Sequence, residues 1–327
     1  MPPADQSKDA AAFIPPAGIP LLPERQLSRY TTFQLGGPAR GVLSCRTPAE
    51  LRQAVLALTS QGCPFILIGG GSNLVVSDQG LECYVIRYFS EEPVLRLEED
   101  VLTVSGSTRL DDAVAYAACH GYEGLNYASG IPGTVGGAVV GNAGAFGRQV
   151  GDVLSSALLI HPDGTQRRVG AQELDFQYRH SALKESREIV AEAAFALRSA
   201  DAAGLQKERA EILKIRAGKH PDLSQNPCAG SFFRNIEPTS QAGRRQAAGW
   251  FLDQAGGKAL SYGGAAIYPK HANIIVKGPD CKAQDVYELS RMMARLAKDH
   301  FNLDLVREVR FVGDFDGAEP SEHTLIW

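Results

Sequence analysis

The feature that most constrains this chain is a glycine-dense stretch at residues 130–147, which holds seven glycines. No helix or strand is expected to tolerate this density, because glycine loses more backbone entropy on folding than any other residue. Glycine also adopts positive φ at little cost, so successive N–H groups can surround a phosphate. A second glycine-rich element, with the sequence GGGSN, lies upstream at residues 69–73. Together the two elements indicate a large phosphorylated cofactor that is held at more than one place.

The residues that flank the upstream element decide which phosphate-binding fold is possible. Phe65–Ile68 predicts a buried strand, and the β-branched run that starts at Leu74 predicts a second strand after the loop. A Walker loop or a dinucleotide-binding fingerprint runs instead into a helix whose N-terminus faces the phosphate. The order strand, loop, strand therefore argues against the standard dinucleotide fold.

The composition narrows the classes of function. A formal net charge of −4 and a pI near 6.0 argue against a nucleic-acid partner, which needs clustered basic residues. No run approaches the roughly 20 apolar residues of a membrane helix, so no membrane association is expected. The six cysteines form no C-x-x-C pair, which is typical of reduced thiols in the cytoplasm. The seven histidines have no metal-binding spacing, so no metal site is predicted.

The chain is expected to divide into two folded units with short flanking segments. We interpret residues 1–26 as a flexible proline-rich leader and residues 27–200 as an α+β domain in two lobes. Residues 201–313 form a smaller α+β domain in this interpretation, and residues 314–327 form a polar tail.

Several elements can be placed by their local patterns. A capping box at residues 47–50 starts one helix, and apolar spacing at residues 205–215 indicates a second helix at the domain boundary. A third helix is predicted at residues 283–300. Two short apolar runs at residues 94–97 and 101–104 flank an acidic turn and predict a hairpin.

Six segments in order resemble the UDP-N-acetylenolpyruvoylglucosamine reductase family, over about residues 27–313. They are TFQLGGPA at residues 32–39, GGGSNL at 69–74, the glycine-dense stretch, YRHS at 178–181, AGSFFRN at 229–235 and REVRF at 307–311. One such segment would be a weak signal, whereas six in the same order are specific.

The resemblance implies an α+β fold with a two-lobed FAD-binding domain of the vanillyl-alcohol-oxidase kind. A smaller α+β substrate-binding domain would follow, and its C-terminal strand would return to the active site. The resemblance also implies non-covalent FAD, NADPH as hydride donor and the enolpyruvyl ether of UDP-N-acetylglucosamine as acceptor. The product would be UDP-N-acetylmuramate, a peptidoglycan precursor. The two substrates would use the same face of the flavin in turn, in a protein expected to be a cytoplasmic monomer.

The resemblance assigns roles to individual residues. Ser231 matches the general acid that protonates C2 after flavin N5 delivers hydride to C3. Arg179 and Glu308 match the pair that stabilises the enolate-like intermediate. The residues that match or are expected to contact the substrate are Tyr178, Asn235, Lys258 and His271.

The predicted contacts to FAD lie in the two glycine-rich elements. They are Gly69, Gly70, Gly71, Ser72, Asn73, Leu74, Gly130, Ile131, Pro132, Gly133, Thr134, Gly136, Gly137, Asn142, Gly144 and Ala145.

The chain departs from the common pattern of the family at several positions. Phe146 replaces a tyrosine, Arg234 a lysine and Ile236 a proline. Only residues 182–188 separate the YRHS segment from the next predicted strand, which leaves no room for the long tyrosine-bearing loop of one family type. The chain therefore resembles the second type, which lacks that loop.

Two other functions stay open from the sequence. An FAD-linked oxidase of the same fold would act on an alcohol or sugar and would not need Ser231, Arg179 and Glu308 together. A catalytically idle nucleotide-binding module would bind nucleotide without oxidising NADPH.

Overall fold

The structure, a computed structural model, describes residues 13–238 and 243–318. Regular structure is present within the segment predicted to be a flexible leader. Phe13 is buried and its ring lies 4.8 Å from that of Tyr84, and strand β1 (Leu21–Pro23) pairs antiparallel with β2 (Ala39–Cys45). The prediction of a flexible leader is therefore wrong for residues 13–26, because Phe13 and Ile19 are buried in the core and β1 pairs with β2, although Ile14 is exposed. Residues 1–12 lie outside the described residues.

The first lobe is a four-stranded sheet in the order β1–β2–β5–β3, in which β2, β5 and β3 run parallel. Its remaining elements are α1 (Pro48–Ser60), β3 (Phe65–Ile68) and β5 (Leu81–Tyr88). The predicted capping box is confirmed, since Glu50 N–H donates to the Thr47 hydroxyl and Thr47 N–H donates to the Glu50 carboxylate. Strand β4 (Leu74–Val76) follows the GGGSN loop, which confirms the order strand, loop, strand.

The second lobe is a five-stranded antiparallel sheet in the order β12–β11–β13–β7–β6. Its strands are β6 (Leu95–Glu98), β7 (Val101–Ser105), β11 (Leu154–Ile160), β12 (Gln166–Gly170) and β13 (Ile189–Ala196). The β6–β7 pair confirms the predicted hairpin. The lobe also contains α2 (Leu110–Cys119), β8 (Tyr122–Glu123), α3 (Val135–Val140), β9 (Gly144–Ala145), β10 (Arg148–Gln149), α4 (Leu183–Ser186) and β14 (Arg198–Ser199).

The glycine-dense stretch contains regular structure, so the expectation of wholly irregular backbone is wrong. Helix α3 starts at the Thr134 cap, whose hydroxyl accepts from Gly137 N–H. A Cβ on Gly136 would lie 3.1 Å from the Gly106 carbonyl oxygen. Glycine in this helix therefore permits close packing against the lobe, and this packing offsets the entropic cost of helical glycine.

The third unit follows helix α5 (Ala202–Lys219) and has a four-stranded sheet in the order β15–β18–β17–β16. Its elements are β15 (Cys228–Ser231), α6 (Ala248–Gln254), β16 (Ser261–Tyr262), β17 (Ala265–Ile267), β18 (Ile274–Lys277) and α7 (Ala283–Phe301). Helix α7 confirms the prediction for residues 283–300. Helix α5 lies where the domain boundary was predicted, and the boundary itself stays a prediction.

The last strand, β19 (Arg310–Val312), leaves this unit and pairs parallel with β4, with Arg310 opposite Leu74. Just beyond it, Phe315 is buried, with its ring centroid 4.9 Å from that of Phe311. Phe315 therefore departs from the predicted polar tail because it joins the core, whereas Asp314, Asp316 and Gly317 are exposed. Residues 319–327 lie outside the described part. Among the described helices, none is both long enough and apolar enough to cross a membrane.

Candidate active site

A cavity of about 700 Å³ is lined by residues of both lobes and the third unit. Ser231, Arg179 and Glu308 all lie on its wall, although they are far apart in sequence. Fourteen of the sixteen predicted FAD contacts also lie on the wall. They are Gly69, Gly70, Gly71, Ser72, Asn73, Leu74, Gly130, Ile131, Pro132, Gly133, Thr134, Gly136, Gly137 and Gly144.

The two glycine-rich elements touch each other and form one continuous wall. A Cβ on Gly70 would lie 2.6 Å from the Cα of Gly133, so the two backbones are too close for any side chain there. The Ser72 hydroxyl donates to the Pro132 carbonyl at 3.1 Å. The structure therefore joins the two elements in one wall, and the prediction that they hold a cofactor at more than one place stays a prediction.

The GGGSN loop is anchored by hydrogen bonds to its carbonyl groups, whereas several of its N–H groups remain unpaired. The Arg87 guanidinium donates to the carbonyls of Gly69 and Tyr30, and Thr32 N–H donates to the Gly71 carbonyl at 3.1 Å. Burial lowers the pKa of Arg87 to about 10. Within the described part of the chain, the N–H groups of residues 70–72 have no acceptor. Adjacent unpaired N–H groups of this kind form an anion-binding concavity.

The start of the glycine-dense stretch is fixed by charges that the sequence did not indicate. Gly130 N–H donates to the Asp111 carboxylate at 2.7 Å, and the Gly130 carbonyl accepts from Arg216 Nε at 3.2 Å. Arg209 donates to both carboxylate oxygens of Asp111, at 2.8 and 2.7 Å. Burial would raise the pKa of Asp111, but the bonds from Arg209 and Gly130 outweigh it and hold the pKa below its usual value.

Two predicted FAD contacts are not on the cavity wall. The Asn142 side chain is buried and is used within the protein: its Nδ2 donates to the Gln177 carbonyl and its Oδ1 accepts from Gly151 N–H. Ala145 lies on β9 next to Gly144, which lines the cavity, but is not itself on the wall. For Asn142 the structure supports a structural role, because its amide already has partners of both kinds.

Arg179 sits in a tight turn that aims it at the cavity. Gln177 and His180 exchange two backbone hydrogen bonds of 3.1 Å, which leaves Tyr178 and Arg179 at the turn. Arg179 has φ of +56°, a strained value for a residue with a side chain. Its guanidinium donates to the Gly144 carbonyl at 3.1 Å, and its own carbonyl accepts from Lys184 Nζ at 2.6 Å.

Glu308 lies beside Arg179 on the cavity wall. Arg179 Nε lies 2.8 Å from Glu308 Oε1, an ion-pair distance, although the Nε–H is not aimed at the carboxylate. The backbone of Glu308 is anchored on both sides, since its N–H donates to the Phe232 carbonyl and its carbonyl accepts from Asn73 Nδ2. Burial raises the pKa of Glu308, against the opposing effect of Arg179 and other nearby cations. The site therefore favours a carboxyl that holds a proton more readily than an exposed one.

Ser231 ends strand β15 and lies where the large cavity meets a second one of about 380 Å³. The preceding Gly230 has φ of +78°, and the pairing with β18 shifts register between Cys228 and Ser231. This bulge turns the strand end toward the cavities. Among the described residues the Ser231 hydroxyl has no hydrogen-bond partner, so it is available to a ligand.

Three of the four predicted substrate contacts line the second cavity: Asn235, Lys258 and His271. Lys258 is paired with Asp253 at 2.9 Å, and the His271 ring stacks on His220 at 5.7 Å. Tyr178 is not on either wall. Its hydroxyl instead accepts from Asn235 N–H at 3.2 Å, which joins the second lobe to the third unit.

Sequence reasoning missed three cations on the large cavity, Lys184, Arg216 and Arg310. Arg310 lies two residues after Glu308 on the returning strand, and alternation along a strand was the one signal that could have identified it. Lys184 lies on the four-residue helix α4, where no local pattern indicates its burial. No group of His, Cys, Asp or Glu in residues 13–238 and 243–318 is arranged to hold a metal.

The burial of Lys184 predicts a pH dependence of stability. Burial, reinforced by Arg310 and Arg234 and opposed by Glu308 and Glu185, lowers the pKa of Lys184 from 10.5 to about 8. Between these values the unfolded chain binds more protons than the native protein, so the Lys184 contribution should become more favourable as pH rises from about 8 to 10.5. We expect the free energy of unfolding of the wild type, measured in urea, to rise across this window relative to that of Lys184→Met. Parallel curves for the two proteins would contradict this.

Comparison with known proteins places the chain in a family. Residues 39–170 match the family model "FAD binding domain", and residues 221–312 match "UDP-N-acetylenolpyruvoylglucosamine reductase, C-terminal domain".

Relatives match the chain over nearly its whole length. The UDP-N-acetylenolpyruvoylglucosamine reductase of Lactobacillus delbrueckii subsp. bulgaricus is 35% identical, over 91% of this chain and 97% of that protein. That of Synechococcus sp. is 36% identical, over 92% of each chain. The crystal structure of the reductase from Thermus caldophilus superposes with a TM-score of 0.73 at 31% identity, over 90% of this chain and 98% of that one. This extent of identity, together with both domain matches, makes the chain a member of the UDP-N-acetylenolpyruvoylglucosamine reductase family of FAD-dependent oxidoreductases.

Proposed function

We propose that the protein reduces the enolpyruvyl ether of UDP-N-acetylglucosamine to UDP-N-acetylmuramate, with NADPH as hydride donor. This reaction would supply a peptidoglycan precursor in the cytoplasm. The observation that carries the proposal is the convergence of Ser231, Arg179 and Glu308 on a cavity that is also walled by both glycine-rich elements. An FAD-linked oxidase of the same fold would not require that convergence.

The large cavity fits FAD. The unpaired N–H groups of residues 70–72 suit a diphosphate, and the contact between Gly70 and Gly133 leaves a side-chain-free wall beside them. Arg216 adds a local positive charge on the same wall, in a chain whose net charge is −4. When bound, FAD supplies hydride transfer, and the protein supplies orientation and electrostatics.

Arg179 is suited to stabilising negative charge that develops on the substrate. Its guanidinium is a planar cation with several donors, and the turn, the Gly144 carbonyl and Glu308 fix its position. Preorganised charge of this kind costs no reorganisation during the reaction. Glu308, with its raised pKa, is suited to share a proton with the substrate instead of repelling it.

Ser231 is suited to deliver a proton to substrate carbon. An isolated serine is a weak acid, so it needs polar neighbours that stabilise the alkoxide as the proton leaves. Arg179 supplies such a charge on the same cavity wall. The position of Ser231 between the two cavities would place the reacting carbon between the flavin and the nucleotide-sugar.

The second cavity would hold the nucleotide half of the substrate. Lys258 and Asn235 supply a cation and an amide on its wall, and Trp250, which is 55% exposed, adds an aromatic face. This chemistry suits a diphosphate and a nucleobase. The hydrogen bond from Asn235 N–H to the Tyr178 hydroxyl would couple ligand binding in this cavity to the position of the turn that carries Arg179.

A two-step flavin assay tests the proposal. Purified protein should be yellow, NADPH should bleach the flavin absorbance in a stopped-flow mixer, and the enolpyruvyl substrate should restore it without oxygen. Restoration by oxygen alone would favour an oxidase. Bound flavin that NADPH does not bleach would favour an idle nucleotide-binding module.

A further inference from the structure

Helix α5 forms part of the wall of the large cavity, although it lies between the two matched domains and belongs to neither. Its residues Leu213, Arg216 and Ala217 line the cavity. The position of this helix therefore helps to set the shape of the site, and the contacts that hold the helix in place bear on ligand binding.

Apolar packing alone holds helix α5 weakly. Only two of its 18 residues are buried, Leu205 and Ile212, so its position depends largely on polar contacts. One such contact lies near its start, where the Asn126 amide donates to the Leu205 carbonyl at 3.1 Å and to the Glu208 carboxylate. This contact fixes the first turns of the helix against the segment that precedes the glycine-dense stretch.

A single carboxylate joins helix α5 to the start of the glycine-dense stretch. Asp111, in the first turn of α2, accepts from Gly130 N–H and from two nitrogens of Arg209 on α5. The Arg209 side chain is only 17% exposed, so its charge is largely removed from water and needs this partner. The Gly130 carbonyl accepts from Arg216, further along α5. Both polar groups of the Gly130 backbone are thus held by charged side chains, at a φ of +71°.

The position of Gly130 determines the position of the wall. A Cβ on Gly130 would lie 2.8 Å from Leu213 Cδ2, so helix α5 packs directly against this backbone. Residues 130–134 all line the cavity, and Gly133 touches Gly70 of the GGGSN loop. A shift of α5, or a rotation of the backbone at Gly130, would therefore displace the surface where the two glycine-rich elements meet.

We propose that Asp111 and Arg209 are positioning residues for FAD, which hold helix α5 and Gly130 so that the wall is formed before the cofactor binds. Neither residue lines the cavity, so each acts through the backbone of the glycine-dense stretch. Binding to a preformed wall costs less ordering entropy than binding to a mobile one. The inference rests on the assignment of the large cavity to FAD under the proposed function.

The first test measures the Kd for FAD of the full-length chain by ultrafiltration and flavin absorbance. Asp111→Ala removes both the acceptor of Gly130 N–H and the partner of Arg209, and should raise this Kd by about 10-fold or more. Asp111→Asn keeps an oxygen for Gly130 N–H, and Arg209→Met keeps the carboxylate. Both should raise the Kd by a smaller factor.

The second test measures amide hydrogen exchange in the flavin-free protein. A wall that is no longer held should open more often, so exchange at residues 126–134 should be faster in Asp111→Ala than in the wild type. This measurement reports on the backbone itself and needs no ligand.

Glu188→Ala is the matched control for both tests. Glu188 forms a two-point pair with Arg167 in the same lobe, at 2.6 Å for each bond, and neither residue lines the cavity. Loss of this carboxylate should lower the Tm, as loss of Asp111 should. It should leave the Kd for FAD and the exchange of residues 126–134 near their wild-type values.

The Kd separates a positioning role from ordinary stabilisation of the fold. An unchanged Kd in Asp111→Ala, or an equal rise in Glu188→Ala, would overturn the proposal. If Asp111→Ala does not fold, Arg209→Met decides in the same way, because it keeps the bond from Gly130 to Asp111. The tests use neither NADPH nor the enolpyruvyl substrate, so failure of the two-step flavin assay would remove the proposed reaction and leave these results standing.

Discussion

A Ser231→Ala variant should have its flavin bleached by NADPH at a near-normal rate, whereas recovery with the enolpyruvyl substrate should slow by about 100-fold or more. The first half-reaction delivers no proton to substrate carbon. The second needs one, and Ser231 is the hydroxyl that lies on both cavities. Arg179 and Glu308 remain in this variant, so the substrate should still bind.

The two rates are measured separately by stopped-flow absorbance of the flavin. Ser155→Ala is a suitable control, because the Ser155 hydroxyl is bonded to the Ala194 carbonyl and lies off both cavity walls. Equal slowing of both half-reactions would mean that Ser231 shapes the flavin pocket. Unchanged recovery would mean that another group or water donates the proton.

A Gly137→Val variant should purify almost free of flavin while keeping its fold. Gly137 lines the large cavity, and an added Cβ would meet only the Thr134 hydroxyl, at an ordinary 3.6 Å. The protein therefore leaves room for the Cβ, and we expect the valine methyl groups to fill space that FAD needs. Flavin absorbance per mole of protein measures the flavin content, and the circular dichroism spectrum reports whether the fold is kept. Full flavin occupancy would show that FAD does not approach this wall.

Gly71→Val should also lose flavin, but for a different reason. Gly71 has φ of +63°, and an added Cβ would lie 2.0 Å from the carbonyl oxygen of Tyr30. The added side chain would therefore collide with the protein's own backbone as well as block close approach to the ligand and strain the positive φ. We therefore expect Gly71→Val to lower the Tm of the flavin-free protein and Gly137→Val to leave it near the wild-type value. The same Tm loss in both would contradict this distinction.

Much of the fold and the site could be predicted because the signals are local. The capping box at Thr47 and the strands around the GGGSN loop depend on neighbouring residues, and the structure confirms both. The order of six short segments predicts a single site that contains Ser231, Arg179 and Glu308. That these residues share a wall follows from the resemblance, since nothing local to any one of them indicates it.

The features that sequence reasoning missed depend on distant contacts. Phe13 is ordered because it reaches the ring of Tyr84, and no pattern near the leader encodes that contact. Helix α3 tolerates its glycines because one of them, Gly136, packs against Gly106, which lies about thirty residues earlier. Lys184 shares its cavity wall with Arg310, which strand β19 brings from a distant part of the chain. Each is a case in which tertiary packing overrides local preference.

The return of β19 to β4 also bears on how the protein can be assembled and divided. Asn73 and Glu308, whose bond sits at that junction, are 235 residues apart. Closing so long a loop costs conformational entropy before the contacts can form. This junction should therefore be among the last parts to form during folding. Expressed alone, the flavin-binding lobes would leave the apolar strand β4 as an open edge that can pair with other chains. The two matched domains are therefore not independent modules. We expect the first to aggregate when it is separated from the second.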